Sequence, residues 1–313
     1  MSLAPPARPR LLAILGPTGA GKSAAAFSIA RRLGGEIVVC DSRQVYRELD
    51  ISTNKPPKDE LEAVPHHLVD VADPRARFTV HDFQHLATEA VLDIARRGRL
   101  AILEGGSSLW AQALLDGYRL PGGTPPTERR RTLDGLPLPA LQERLAELDP
   151  EARVDRQNPR RLVRAIEILE ELGGPLERHR ERHPPDWEIC RVGLRVPLAV
   201  LDRRLRSRSA DQVARGVVEE TRQALERGVP PDAPVLSGIG YLQARAFLDG
   251  ELQPLELLGA MARANSRYAR RQLRWLGRDP RIEWIEATDD PSARILTYLS
   301  MTCPQFLRAA PAC

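Results

Sequence analysis

The run Gly16-Pro17-Thr18-Gly19-Ala20-Gly21-Lys22-Ser23 constrains this chain more than any other feature. A short apolar stretch, Leu11 to Leu15, precedes it, and an alanine-rich segment, Ala24 to Leu33, follows. Together they predict a strand, a glycine loop and a helix, the context in which the pattern G-x-x-x-x-G-K-S/T binds polyphosphate. Glycine permits the tight turn that aims successive backbone N–H groups inward. The start of the next helix adds partial positive charge. Lys22 supplies a mobile cation for the outer phosphate and Ser23 a hydroxyl for Mg²⁺. All eight residues are therefore assigned to a phosphate site. Kinases, NTPases and some transferases share this P-loop, so the motif leaves the choice of polyphosphate open.

The chain has 313 residues, enough for one or two domains. Its longest apolar runs fall short of the roughly 18 residues a membrane span needs. The stretch from Met1 to Arg10 lacks the apolar region of a signal peptide. A soluble, cytoplasmic protein is expected. Cys40, Cys190, Cys303 and Cys313 form no CxxC pair, so no zinc site is expected and a reducing compartment fits. The net charge of +4 is too mild to name a partner. Its make-up says more: lysine occurs only at Lys22, Lys55 and Lys58, and the other cations are arginine. A lysine kept in such a chain suggests a place where a compact point charge is needed instead of a planar fork.

Two further strands are predicted, Glu36 to Cys40 and Leu100 to Leu103. Parallel α/β sheets bind ligands at the carboxyl ends of their strands, which puts Asp41 where chemistry would occur. It can serve as a general base, or hold a metal-bound water, or simply cap a following helix. Glu104 stands where many NTPases carry a metal-site carboxylate. Gly105-Gly106 suggests close backbone approach to a ligand, and Ser107 or Ser108 can bond that ligand or cap the next helix. His66 and His67 are adjacent and so point apart, which favours a structural role over chelation.

Pro121-Gly122-Gly123-Thr124-Pro125-Pro126 marks a boundary. Beyond it no strand pattern appears until Trp187 to Val196. Helical spacing covers Leu138 to Leu148 and Pro159 to Leu172, with Asn158 as N-cap and Pro159 at the first helical position. This reads as an arginine-rich helical insert in an α/β core. Met261 to Leu276 is predicted as a helix. Arg263, Arg267, Arg270 and Arg274 share one of its faces, flanked by Arg271 and Arg278, with no acid before Asp279. Such a stripe suits a phosphate backbone, RNA in particular because arginine also stacks on bases. The alternative is a solvated face paired with acids from elsewhere.

In their order along the chain, several segments resemble the tRNA dimethylallyltransferase family, bacterial type. They are the P-loop, Asp41-Ser42-Arg43-Gln44-Val45-Tyr46, Thr53-Asn54-Lys55-Pro56, Pro65-His66-His67-Leu68, Gly105-Gly106-Ser107-Ser108-Leu109-Trp110, Asn158-Pro159-Arg160-Arg161, Gly238-Ile239-Gly240-Tyr241 and Arg270-Arg271-Gln272-Leu273-Arg274-Trp275. The resemblance implies an α/β fold, a P-loop NTPase-like parallel sheet core (1–120 and 186–313, with C-terminal helices) carrying an inserted small helical domain (121–185) that grips tRNA. The P-loop would hold dimethylallyl diphosphate with Mg²⁺, not ATP. Lys22, the metal at Ser23 and a nearby arginine would stabilise the departing diphosphate. The nucleophile would be N6 of adenosine 37 in tRNAs that read codons starting with U, flipped out of its stack. Asp41 would take its proton, and Ser107 would replace the family's threonine at the reacting groups.

The implied tRNA contacts are Asp41, Ser42, Arg43, Gln44, Arg129, Asn158, Pro159, Arg160, Arg161, Gly238, Ile239, Gly240, Tyr241, Arg267, Arg270, Arg271 and Arg274. A monomer is expected. The chain departs from the family at Ser107, at Trp110 (commonly tyrosine), in a short insert near Leu133 to Pro139, and in lacking the C-terminal zinc finger of eukaryotic members. Competing readings are a small-molecule kinase, which leaves the arginine helix unused, a prenyltransferase on free adenosine nucleotides, which leaves the basic insert unused, and a nucleotide-gated RNA-binding protein, which leaves Asp41 and Ser107 unexplained.

Overall fold

The computed structural model describes residues 8–120 and 128–307. The boundary motif 121–126 and Cys313 lie outside them. The described chain forms β1 (Arg10–Leu15), α1 (Lys22–Leu33), β2 (Glu36–Cys40), α2 (Lys58–Ala63), β3 (His66–His67), α3 (Val80–Arg96), β4 (Ala101–Gly105) and α4 (Ser108–Asp116). Then come α5 (Glu128–Asp134), α6 (Leu138–Leu148), α7 (Pro159–Leu172), β5 (Glu188–Arg195), α8 (Leu198–Ala214), α9 (Val217–Glu226), α10 (Tyr241–Leu248), α11 (Pro254–Leu276), β6 (Glu283–Glu286) and α12 (Pro291–Thr302). By internal contacts the chain divides into two compact units.

The first unit runs to Phe78, takes in Phe83–Ala111 and resumes at Asp186. It holds a six-stranded sheet of order β3-β2-β4-β1-β5-β6, parallel throughout. Residues Leu11 to Ile14 have no exposed surface, as expected for a strand covered on both faces. One core cluster joins Leu12, Ile14, Ile37, Ile102 and Val192 to Ile29 of α1, Leu205 of α8 and Ile295 of α12. Burying each such side chain contributes about 1.5–3 kcal/mol. The sheet order reverses around β1 and β4, and the loops after β1, β2 and β4 open at this switch point.

The carboxyl ends of β2 and β4 are pressed together: Cys40 and Gly105 are register partners, and a Cβ built on Gly105 would lie 2.1 Å from the Cys40 carbonyl oxygen. Gly105→Ala must push two core strands apart, at a cost of about 3 kcal/mol. Its thermal midpoint should fall by several degrees in a calorimetric scan; an unchanged midpoint would mean that these strand ends part freely.

The second unit comprises Thr79–Asp82 and Gln112–Pro185. Its core is Leu133, Leu141, Leu145, Leu162, Ile166 and Leu169, from α5, α6 and α7. Asn158 caps α7, its side-chain oxygen accepting from the Arg161 N–H at 3.3 Å, with Pro159 in the first turn. Arg129 forks onto both oxygens of Glu170 (2.8 and 2.5 Å), and this pairing holds the Glu170 carboxyl below its usual range.

Two expectations need correction. No helix follows Asp41, because the chain from Ser42 runs through turns to Lys58, so the helix-cap reading fails. The arginine helix starts at Pro254, ahead of Met261, where Gln253 and Glu256 form a capping box.

Candidate active site

The loops at the switch point enclose a cavity of about 420 Å³. Its floor is the P-loop: Thr18, Gly19, Gly21, Lys22 and Ser23 line it. The other three loop residues only shape that floor. Gly16 abuts Leu194 of β5, Ala20 is buried in the core, and the Pro17 carbonyl accepts from Lys22 Nζ at 3.0 Å.

Ser23 Oγ donates to Glu104 Oε1 at 2.9 Å. Glu104 is 6% exposed, and burial raises its carboxyl pKa, opposed by the Lys22 charge and the Ser23 bond. Burial likewise lowers the Lys22 ammonium pKa, with Glu104 opposing. Arg208 of α8 enters from the side and donates to Thr18 Oγ1 at 2.7 Å. Its pKa too is lowered by burial, with Asp41 and Glu104 opposing. Two cations thus bear a desolvation cost that a bound polyanion would offset.

Asp41 lines the cavity beside this floor. Its Oδ1 accepts from the Arg43 N–H at 2.8 Å, closing a turn that holds the carboxylate at the end of β2. The Ser107 hydroxyl accepts from the Ser42 N–H at 3.2 Å, so it ties the loops after β2 and β4 together. Arg43 donates to the Pro234 carbonyl and to Ser237 Oγ. Gln44 is buried and donates to the Thr53 and Asn54 carbonyls (3.2 and 3.3 Å). Both therefore brace the walls from inside. Gly238, Ile239 and Tyr241 also line the cavity. Tyr241, however, is 1% exposed and its hydroxyl donates to Glu220 at 2.6 Å, so its phenol is anchored within the fold. Tyr268 faces the cavity with Arg271 stacked 5.0 Å above its ring. Burial pushes the Tyr268 phenol up to about 12, which keeps it a donor at neutral pH.

The family model described as IPP transferase matches residues 44–279. The chain belongs to the IPP transferase family. It is 42% identical over 287 residues to the tRNA dimethylallyltransferase of Thermomicrobium roseum, covering 90% of this chain and 87% of that protein. The tRNA isopentenylpyrophosphate transferase of Bacillus halodurans superposes with a TM-score of 0.72 at 32% identity, covering 96% of this chain and 97% of that one. A eukaryotic dimethylallyltransferase solved acting on tRNA gives 0.77 at 25% identity, over 95% of this chain and 77% of that one.

In this IPP transferase the arginine stripe of α11 is not uniform. Arg263, Arg267, Arg271 and Arg274 are exposed, but Arg270 pairs with both oxygens of Asp202 on α8 (2.7 and 3.0 Å). The sequence reading of an unopposed Arg270 is therefore wrong: its acid comes from another helix. Arg271, which flanks the stripe, lines the cavity, and the four stripe arginines do not. The adjacent histidines lie on edge strand β3, away from the site. His67 pairs with buried Glu36 at 2.7 Å and His66 bonds the Val64 carbonyl at 2.8 Å. Lys55 is gripped by Asp50 and Asp70 (2.5 Å each), a point charge between two carboxylates. Arg129, Asn158, Pro159, Arg160 and Arg161 all belong to the second unit; Arg160 and Arg161 are exposed. Sequence reasoning left Glu104 open and did not single out Arg208, Asn265 or Gln272. Asn265 and Gln272 are two turns apart on the buried face of α11, and a polar pair in an apolar stripe was the available signal.

Among the described residues no helix is long and apolar enough to cross a membrane.

Proposed function

We propose that this chain transfers a dimethylallyl group from dimethylallyl diphosphate to N6 of adenosine 37 of tRNAs that read codons starting with U. One observation carries the reading: a carboxylate suited to a general base, Asp41, lines the same cavity as a cradle for diphosphate, Lys22 and Arg208. The C–O bond of the allylic carbon breaks and diphosphate departs with the electron pair. The N6–carbon bond forms, and Asp41 accepts the N6 proton. The N–H groups of residues 19–23, Lys22 and Arg208 stabilise the charge gathering on the leaving group. Ser107, by its bond to the Ser42 N–H, positions the Asp41 turn.

The residues present fit a magnesium ion. Ser23 hydroxyl and the buried Glu104 carboxylate form a hard oxygen pair beside the phosphate loop, and Mg²⁺ favours one or two such groups plus phosphate oxygens and water. Bound there, it would neutralise leaving-group charge. The chain would work in the cytoplasm, as a monomer.

For the RNA, the exposed arginines of α11 are the proposed backbone contacts, with Arg271 at the cavity mouth and Asp41 to Gln44 and Gly238 to Tyr241 framing the target base. Arg129 and Arg270, each held by an acid, serve as supports. Replacing Arg267, Arg271 and Arg274 together with alanine should weaken anticodon stem-loop binding and reduce the slope of log affinity against log salt by about 3. Arg270→Ala alone should leave that slope nearly unchanged. Equal slopes in all three proteins would remove this helix from the RNA surface.

The test is a single-turnover assay with labelled dimethylallyl diphosphate, Mg²⁺ and an anticodon stem-loop carrying A36-A37-A38. Label mapped to A37 is the expected result. No transfer, with ATP-dependent labelling of another acceptor, would replace this reading by a kinase.

A further inference from the structure

We infer that Gln272 is a positioning residue that sets the phosphate loop against the Gly106–Ser107 loop; the inference rests on the transfer reaction proposed above. Gln272 sits on α11 and is 4% exposed. Its Oε1 accepts from the Thr18 N–H at 2.9 Å. Its Nε2 donates to the Gly106 carbonyl at 2.8 Å. One planar amide thus clasps two of the loops that frame the cavity, and each partner is distant in sequence. A buried glutamine carries an acceptor and a donor fixed on one rigid plane, so the two bonds fix a spacing instead of merely adding stability.

The clasp is built into its neighbours. A Cβ on Gly106 would lie 2.2 Å from Gln272 Nε2, so glycine at 106 is what admits the amide. The Thr18 N–H, committed to Gln272, is withdrawn from the set of loop N–H groups that would face phosphate. The same residue's hydroxyl accepts from Arg208, so Gln272 orients the residue on which Arg208 rests. Two helical turns upstream on the same buried face, Asn265 Nδ2 donates to Ser209 Oγ at 3.2 Å, next to Arg208 in sequence. Helix α11 therefore holds α8, the phosphate loop and the β4 loop in one frame, while Arg263, Arg267 and Arg274 stay exposed. The loops so framed carry the groups assigned to the leaving diphosphate (Lys22, Arg208) and, through Ser107 and Ser42, the turn that presents Asp41. In-line transfer needs these two groups at a set distance, and a misplacement near 1 Å costs on the order of 100-fold in rate.

Gln272→Met removes both bonds at similar volume. Single-turnover transfer at saturating donor and RNA should fall about 10- to 100-fold, with stem-loop affinity and thermal midpoint close to wild type. Gln272→Glu is the second variant. Ionised, it keeps the acceptor for Thr18 and loses the donor to Gly106; protonated, it regains both. Its rate relative to wild type at the same pH should therefore rise as pH falls. Wild-type rate in Gln272→Met overturns the proposal. So does a loss that simply follows the thermal midpoint, with no recovery of Gln272→Glu at low pH. Inorganic diphosphate binding by calorimetry separates the two levels. If wild type transfers nothing yet Gln272→Met still binds diphosphate about tenfold more weakly, the reaction is misassigned and the clasp stands; equal diphosphate affinity in both proteins rejects the clasp.

Discussion

Asp41→Ala is expected to lower single-turnover transfer at saturating substrates by about 10²- to 10⁴-fold, with stem-loop affinity nearly unchanged. Asp41 has two separable jobs. One oxygen accepts the Arg43 N–H and closes the turn after β2; the other is the proposed proton acceptor. Alanine removes both functions. The Asp41→Asn variant keeps a carbonyl oxygen for the turn but has no basic oxygen. If Asp41 is the base, Asp41→Asn falls as far as Asp41→Ala. If asparagine restores near-wild-type turnover, Asp41 is a turn residue and the base must be sought elsewhere. Tyr268 is a poor candidate, since its phenol is pushed up to about 12.

Arg208→Ala should cost about 10²- to 10³-fold in the same assay, the typical loss when one donor to developing negative charge is removed. The effect should appear in the rate at saturation as well as in diphosphate affinity, because charge on the leaving group is greater in the transition state than in the bound donor. Lysine is the informative replacement. Arg208 supports Thr18 through one arm of its fork, and an ammonium cannot serve two directed contacts in the same plane. Arg208→Lys should therefore recover part of the loss and no more. Wild-type rate and affinity in Arg208→Ala would mean that Lys22 and the loop N–H groups suffice.

The start of the fold was plain in the chain. The apolar runs at Leu11 to Leu15 and Glu36 to Cys40 became β1 and β2 within a residue, because a strand buried on both faces must be continuously apolar. The helices from Leu138 and Pro159 carry apolar periodicity, and the second also has a proline start, so both were visible. Strands β3 and β6 were not. They have two and four residues, too few for any period to register. The segment after Asp41 was read as a possible helix because an Asp-Ser pair is a common cap; its local bond instead closes a turn, and Gln44 then spends its amide on the Thr53–Asn54 loop.

The glycine loop and the place of Asp41 at the cavity were legible because they depend on local backbone: glycines, a helix start, a carboxylate just past a strand. Side chains that act across the fold were not. Adjacent helical residues point about 100° apart, so the periodicity of α11 says which arginines share a face but not what each face meets. Only the packing of α8 against α11 decides that Arg270 meets Asp202 while Arg271 reaches the cavity. The same packing turns Arg208 inward among the arginines of α8, and sends the Gln272 amide to loops 166 and 254 residues away. Local sequence determined which loop forms the floor of the cavity; tertiary structure decided which distant side chains surround it, because those partners are chosen by helix docking, which leaves no spacing in the chain.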